Sequence, residues 1–207
     1  TESATRLAEH KAFIDAAAEA GVRQVVYTSF FRAAPDAVFT LARDHWATEE
    51  HLRASGMAHT VLRDNLYLDV LRYYVVDGVM RGPAGNGRLS AVARADVARV
   101  AALVLGDPSA HAGARYDLTG PEALTMAEAT ATIAEVTGRP ARFEHETLEQ
   151  AYRSRARWNP EPWQADAWVS TYTAIASGDL AEVTGDVERL TGRPPLSLRQ
   201  VLERARS

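Results

Sequence analysis

Two short runs rich in β-branched and aromatic residues, VRQVVYTS at 22–29 and HTVLR at 59–63, each follow a helix-length segment that a glycine ends. The glycines are Gly21 and Gly56. A helix feeding a strand, twice over, is the pattern of crossover units, and crossovers of this length join parallel strands. The first helical segment puts Leu7, Ile14, Ala17 and Ala18 on one face. The second, LARDHWATEEHLRASG at 41–56, follows a loop around Pro35.

Farther on, LYLDVLRYYVVD (66–77) reads as an apolar helical stretch, and GPAGNGRLSAVA (82–93) as a glycine-rich loop with a short strand. Val97, Val100, Ala101 and Val104 mark one face of another helix, and ARYDLT (114–119) is the final candidate strand. Beyond it three capping-box spacings open helices: Thr125 with Glu128, Thr147 with Gln150, and Ser197 with Gln200. The expected architecture is therefore α/β, a doubly wound parallel sheet followed by a small helix-rich C-terminal subdomain on the substrate side. Residues 1–120 would form the sheet-bearing part, with insertions at about 66–93, and residues 121–207 the mainly helical part.

A chain of 207 residues with 46% apolar content buries a real core as one domain. Its formal charge of −4 argues against a surface built to neutralise nucleic acid. The absence of cysteine removes disulfides, thiolate metal sites and cysteine nucleophiles together, so any redox chemistry must be carried by a cofactor. No apolar run nears the ~20 residues of a membrane span, and no signal-peptide pattern opens the chain, so the expected location is cytoplasmic. The six histidines show no H-E-x-x-H spacing and there is no G-x-S-x-G elbow, which removes zinc and serine hydrolases of those types.

Four stretches, in order, carry a family resemblance: AEHKAFIDAAAEAGVRQVVYTS; ATEEHLRASGMAHTVLRDNLY; GNGRLSAVARADVARVAALVL with YDLTGPEALTMAEATATIAEVTG; and DLAEVTGDVERLTGRPPLSLRQVL. Together they resemble the NmrA-like branch of the atypical short-chain dehydrogenases, near its bacterial NADPH-dependent quinone oxidoreductases. The resemblance implies a partial doubly wound, Rossmann-like sheet and an NAD(P)H cofactor, with NADPH preferred over NADH. It implies hydride transfer to a small-molecule quinone-like or carbonyl acceptor, with no nucleic-acid or membrane partner and a homo-oligomer left open. The alternatives are a non-catalytic NAD(P)-binding redox sensor of the NmrA type, or an inactive truncated relative. Family members open with a strand, a GxxGxxG turn and a helix, so the expectation is that this chain, which starts with Thr1, lacks that unit. Its G-x-G, Gly85-Asn86-Gly87, reads as a turn rather than a phosphate loop.

The resemblance also nominates residues. Tyr27, Thr28 and Ser29 end a predicted parallel strand, where open sheets place ligands, and are expected to border the cofactor; small residues permitting a tight turn are the plainer reading. Phe30 and Phe31 would wall a flat substrate ring or belong to the core. The Tyr-x-x-x-Lys pattern of short-chain dehydrogenases falls on Leu41 and His45, so the usual acid is replaced, and Glu49 keeps the family's helix acid. His45 becomes the candidate catalytic and ribose-binding residue, as a hydrogen-bond donor or as a proton donor near neutral pH, or else a partly exposed helical histidine. Its ring is expected to face one cleft with the Thr28 and Ser29 hydroxyls. In VLRDNLYLDVL, Arg63 and Tyr67 match the family while Asp64, Asn65 and Val70 depart. Arg63 is expected in a structural ion pair, and Asn65 and Tyr67 beside the cofactor. Asp96 is expected to serve a helix N-terminus. Trp158, Trp163 and Trp168 would roof a quinone site or pack the tail helices.

Overall fold

In the computed structural model, which describes residues 3–205, both helix-to-strand steps form. Helix α1 (Arg6–Glu19) leads to strand β1 (Gln24–Phe30), and helix α2 (Thr40–Ala54) leads to strand β2 (Ala58–Asp64). Thr1 and Glu2, at the head of the first predicted helical stretch, lie outside the described residues. Gly21 and Gly56 both take positive φ just past the helix ends, the left-handed stop that the sequence announced. Ile14 and Ala17 are buried under α1, as the periodicity requires.

The chain then makes a short helix α3 (Leu68–Leu71), a 3-10 turn (Arg72–Tyr74), strands β3 (Val79–Gly82) and β4 (Arg88–Leu89), and helix α4 (Arg94–Gly106). The helix expected over 66–77 is thus broken. Asp77 and Gly78 both adopt positive φ between the bridged residues Val76 and Val79. That is the geometry of a two-residue hairpin turn, for which an Asp-Gly pair is suited. Strand β5 (Arg115–Leu118) is not the last strand either. Strand β6 (Leu124–Thr125) precedes helix α5 (Met126–Thr137), and strand β7 (Arg142–His145) precedes helix α6 (Leu148–Arg155). Helices α7 (Pro162–Ser177), α8 (Asp186–Thr191) and α9 (Leu198–Arg204) complete the described chain. All three predicted capping boxes close, on α5, α6 and α9.

The main sheet is parallel in the order β1-β2-β5, with β1 at one edge. One face carries Leu62, Tyr116 and Leu118 against Val97, Val100 and Val104 of α4 and Val187 of α8. Burying each such aliphatic side chain contributes about 1.5–3 kcal/mol. Asp96, wholly buried in the first turn of α4, accepts from the Leu196 amide and from Arg99, so it pins the tail as well as its own helix. A second core gathers Phe30, Phe31 and Phe39 with Met80, Met126, Ile175 and Leu198 from the later elements. The parts before and after residue 120 are interlocked, because β3 pairs with β7 and β4 with β6.

Gly87 shows how tightly. A methyl group there would sit 2.1 Å from the Ile175 carbonyl oxygen of α7, so the glycine lets the turn lie on helix backbone. Gly85-Asn86-Gly87 therefore joins two strands and packs on a helix, as a turn. The first turn of α2 is completed from the same direction: its N-cap is Phe39, which has no side-chain acceptor, and the Thr40 amide donates to Ser170 Oγ of α7 at 3.2 Å.

Candidate active site

Parallel pairing in β1 and β2 sets Ser29 beside Arg63 and Thr28 beside Leu62. Alternation then sends Ser29 and Arg63 to the face covered by α2, and Thr28 to the opposite face. Glu49 of α2 meets the first pair. The Ser29 hydroxyl donates to its carboxylate, and Arg63 Nε and Nη2 donate to its two oxygens at 2.8 and 2.7 Å. Ser29 is 1% exposed and Glu49 3%, so this is a buried ion pair with its lone pairs satisfied. Arg63 has the structural role expected of it.

One helical turn back on α2, His45 meets Tyr27. The Tyr27 hydroxyl lies 2.7 Å from His45 Nδ1, and Arg6 Nη2 lies 3.1 Å from His45 Nε2. A guanidinium can only donate, so Nε2 accepts and Nδ1 carries the ring proton toward the tyrosine oxygen. Burial lowers the His45 pKa to about 3, with the nearby Arg6 and His10 acting in the same direction. The shift favours the neutral imidazole near pH 7. Burial also pushes Tyr27 up to about 12. The expected single cleft for Thr28, Ser29 and His45 does not form: Ser29 and His45 are engaged beneath α2, while Thr28 is exposed on the other side of the strand, its hydroxyl unpartnered among the described residues.

The β2 end holds a second buried group. Asn65 is 1% exposed; its amide nitrogen donates to Ser90 Oγ and the Leu180 carbonyl, and its oxygen accepts from the Leu66 amide. It clips the strand end to the loop before α8. Tyr67 donates to Asp64 Oδ2 at 2.5 Å, and the Arg94 guanidinium stands 5.0 Å over its ring. Burial raises Asp64 to about 7, although the Tyr67 hydroxyl pulls the other way. Burial raises Tyr67 as well. Phe30 and Phe31 belong to the core, Phe30 packing on Phe39 with ring centres 4.7 Å apart.

Beyond these strand ends opens a cleft of about 940 Å³. Phe39 and Leu41, after β1, and Leu66, after β2, form one wall; Tyr73, Tyr74, Trp158, Trp168 and Tyr172 supply rings around it. Trp158 and Trp168 meet edge to face at 6.3 Å. Trp158 is 52% exposed and Tyr73 66%, an unusual cost for large rings unless something covers them. Of the three late tryptophans, two line this space and Trp163 does not. The sequence reading missed Tyr73 and Tyr74, whose signal was a paired aromatic within a stretch taken for a regular helix. It also missed the arginines at 153, 155 and 157, which alternate just before Trp158.

Comparison with known proteins adds to this geometry. A sequence profile of the NmrA-like family matches residues 1–166. The NAD(P)H azoreductase of Xenophilus azovorans is 33% identical over 187 residues, covering 88% of this chain and 65% of that protein. Quinone oxidoreductase 2 of Escherichia coli is 28% identical over 202 residues, covering 96% and 70%. The crystal structure of an NADPH-dependent quinone oxidoreductase from Escherichia coli, complexed with NADPH, matches with a TM-score of 0.88 at 26% identity, covering 100% of this chain and 74% of that one. The chain thus spans about two thirds of the length of the curated relatives it matches.

Proposed function

The chain belongs to the NmrA-like family, and from that premise we propose that it serves an NAD(P)H-dependent reductase reaction whose acceptor is a flat, quinone-like or carbonyl compound. The observation that carries this reading is the 940 Å³ cleft with exposed aromatic walls beyond the ends of β1 and β2. Ligands of open parallel sheets lie beyond the carboxyl ends of the strands. A bicyclic ring stacked between such walls buries apolar surface on both faces.

The fit to a dinucleotide is partial within this chain. Thr28, exposed at the end of β1 with an unpartnered hydroxyl, is the residue proposed to touch the nicotinamide end. Tyr27, Ser29, His45, Asn65 and Tyr67 spend their polar atoms internally, and are proposed to hold the strand ends in place rather than to touch the reacting atoms. No residue is assigned to the pyrophosphate, since Gly85-Asn86-Gly87 is a turn between β3 and β4 whose Gly87 packs on the backbone of α7. The chemistry a bound nicotinamide supplies is hydride transfer. A quinone that accepts hydride can draw its proton from solvent, which suits a site whose sequence-matched histidine is neutral and enclosed. In this reading residues up to 120 position the cofactor side, and the later elements close the acceptor cleft. NADPH is the preferred donor and the cytoplasm the location, in keeping with a cysteine-free chain; among the described residues no helix is long and apolar enough to cross a membrane.

The test is consumption of NADPH by the purified protein with a panel of quinones and aromatic carbonyl compounds. Turnover with quinones is expected, and Trp158→Ala should raise KM about tenfold through lost stacking while leaving kcat nearly unchanged. Tight NADPH binding without turnover would replace the reductase with a redox sensor.

A further inference from the structure

The protein as a whole is acidic, at −4, yet the charged side chains lining the aromatic cleft are Arg81, Arg153, Arg155 and Arg157 against Glu146 alone. These arginines are not equivalent. Arg155 is buried, and its guanidinium is spent on Glu146 at 2.9 Å, on the Ala151 carbonyl and on the Arg81 carbonyl. Arg81 is held by Glu144, and Arg153 by Glu149. Arg157 has neither an ion pair nor a hydrogen bond among the described residues. Its guanidinium lies 4.1 Å from the centre of the Trp158 ring, which itself lines the cleft. An arginine stacked on an indole keeps its fork of N–H donors in a fixed plane, pre-arranged for bidentate contact with a carboxylate or sulfonate.

We propose that the cleft is specific for flat aromatic acceptors bearing an anionic substituent, a carboxylate or sulfonate, with the ring held beside Trp158 and the charge met by Arg157. The proposal rests on reading the cleft as the acceptor site. The surrounding arginines, although paired, leave the lining positive and favour the same sign of ligand at a distance. Arg157 here is a specificity residue; it carries no proton and takes no part in the redox step.

Calorimetric titration separates this from the reductase reading, because it needs neither cofactor nor turnover. The probes are naphthalene-2-sulfonate and its uncharged isostere naphthalene-2-sulfonamide. The protein should bind the sulfonate about tenfold more tightly, as a charge-assisted bidentate contact predicts, and raising the salt concentration should erode that preference. Arg157→Gln should abolish it while changing sulfonamide affinity by no more than about twofold, and Arg157→Lys should keep part of it. Arg199→Gln, which removes one positive charge from a surface pair with Glu135, should leave it intact. Equal affinity for the two probes, or a preference that survives Arg157→Gln, overturns the proposal even if quinones are reduced. A preference carried by Arg157 in a protein that turns over no acceptor would uphold the anion site and remove the reductase.

Discussion

His45 Nδ1 lies 2.7 Å from the Tyr27 hydroxyl, and with Arg6 facing its other nitrogen the ring is enclosed as a neutral donor and acceptor at once. This places a histidine, matched by sequence to a catalytic lysine, in the seam between α1, β1 and α2.

That enclosure predicts a pH dependence of stability. The His45 pKa is lowered in the folded state from 6.5 to about 3, so the unfolded chain binds the extra proton first. The stabilisation is complete above about pH 6.5 and is lost as pH falls toward 3, at up to about 1.4 kcal/mol per pH unit. His10 is shifted in the same direction, so the decisive comparison is between proteins. Urea denaturation from neutral pH to about pH 4.5 should give a shallower decline for His45→Gln than for the parent protein. Parallel curves would mean that the ring is solvated.

Asp64 predicts the opposite slope. Its pKa is raised from 3.8 to about 7, so its contribution is full below about pH 3.8 and is lost as pH rises through 7. Asp64→Asn keeps an acceptor for Tyr67 and removes the ionisation. Relative to the parent, it should gain about 2–3 kcal/mol between pH 5 and pH 8.5, seen as a melting-temperature difference that grows as pH rises toward 7 and levels off above it.

The Glu49 and Arg63 pair is sealed from solvent, so removing one partner strands the other. Arg63→Met should cost about 3–5 kcal/mol by chemical denaturation, and Glu49→Leu a similar amount. The double substitution Glu49→Leu with Arg63→Met should recover much of that loss, since neither charge then remains buried.

The glycines of the turn before β4 should differ sharply. Gly87→Ala drives a methyl group into the Ile175 carbonyl and should cost about 3 kcal/mol. Gly85→Ala meets no atom within 4 Å and bears only its positive φ of 54°, so about 1 kcal/mol is expected. Thermal melts of the two variants check the ordering.

The helix-to-strand steps were legible because each signal was local: glycine stops, β-branched runs and capping boxes depend on neighbours in sequence. The Asp77-Gly78 turn was equally local but was masked by the apolar run around it. Strands β6 and β7 were not legible, because LT becomes a strand only by pairing with β4 and RFEH only by pairing with β3, distant partners that composition does not name. The site fared likewise. Arg63 was recognised as a structural ion-pair residue, since a charge inside a strand needs a partner. The direction of His45 depended on Arg6, thirty-nine residues away, and the cleft on rings drawn from three separate stretches.

The borrowed acceptor at the start of α2 has a consequence for the order of assembly. During synthesis Thr40 leaves the ribosome 130 residues before Ser170, the serine that completes its turn. Until then that end of the helix can only fray, and Phe39 and Leu41, which line the cleft, fray with it. Strands β1 and β2 can therefore pair early, whereas the Phe39 and Leu41 wall of the cleft is among the last pieces of the protein to become ordered.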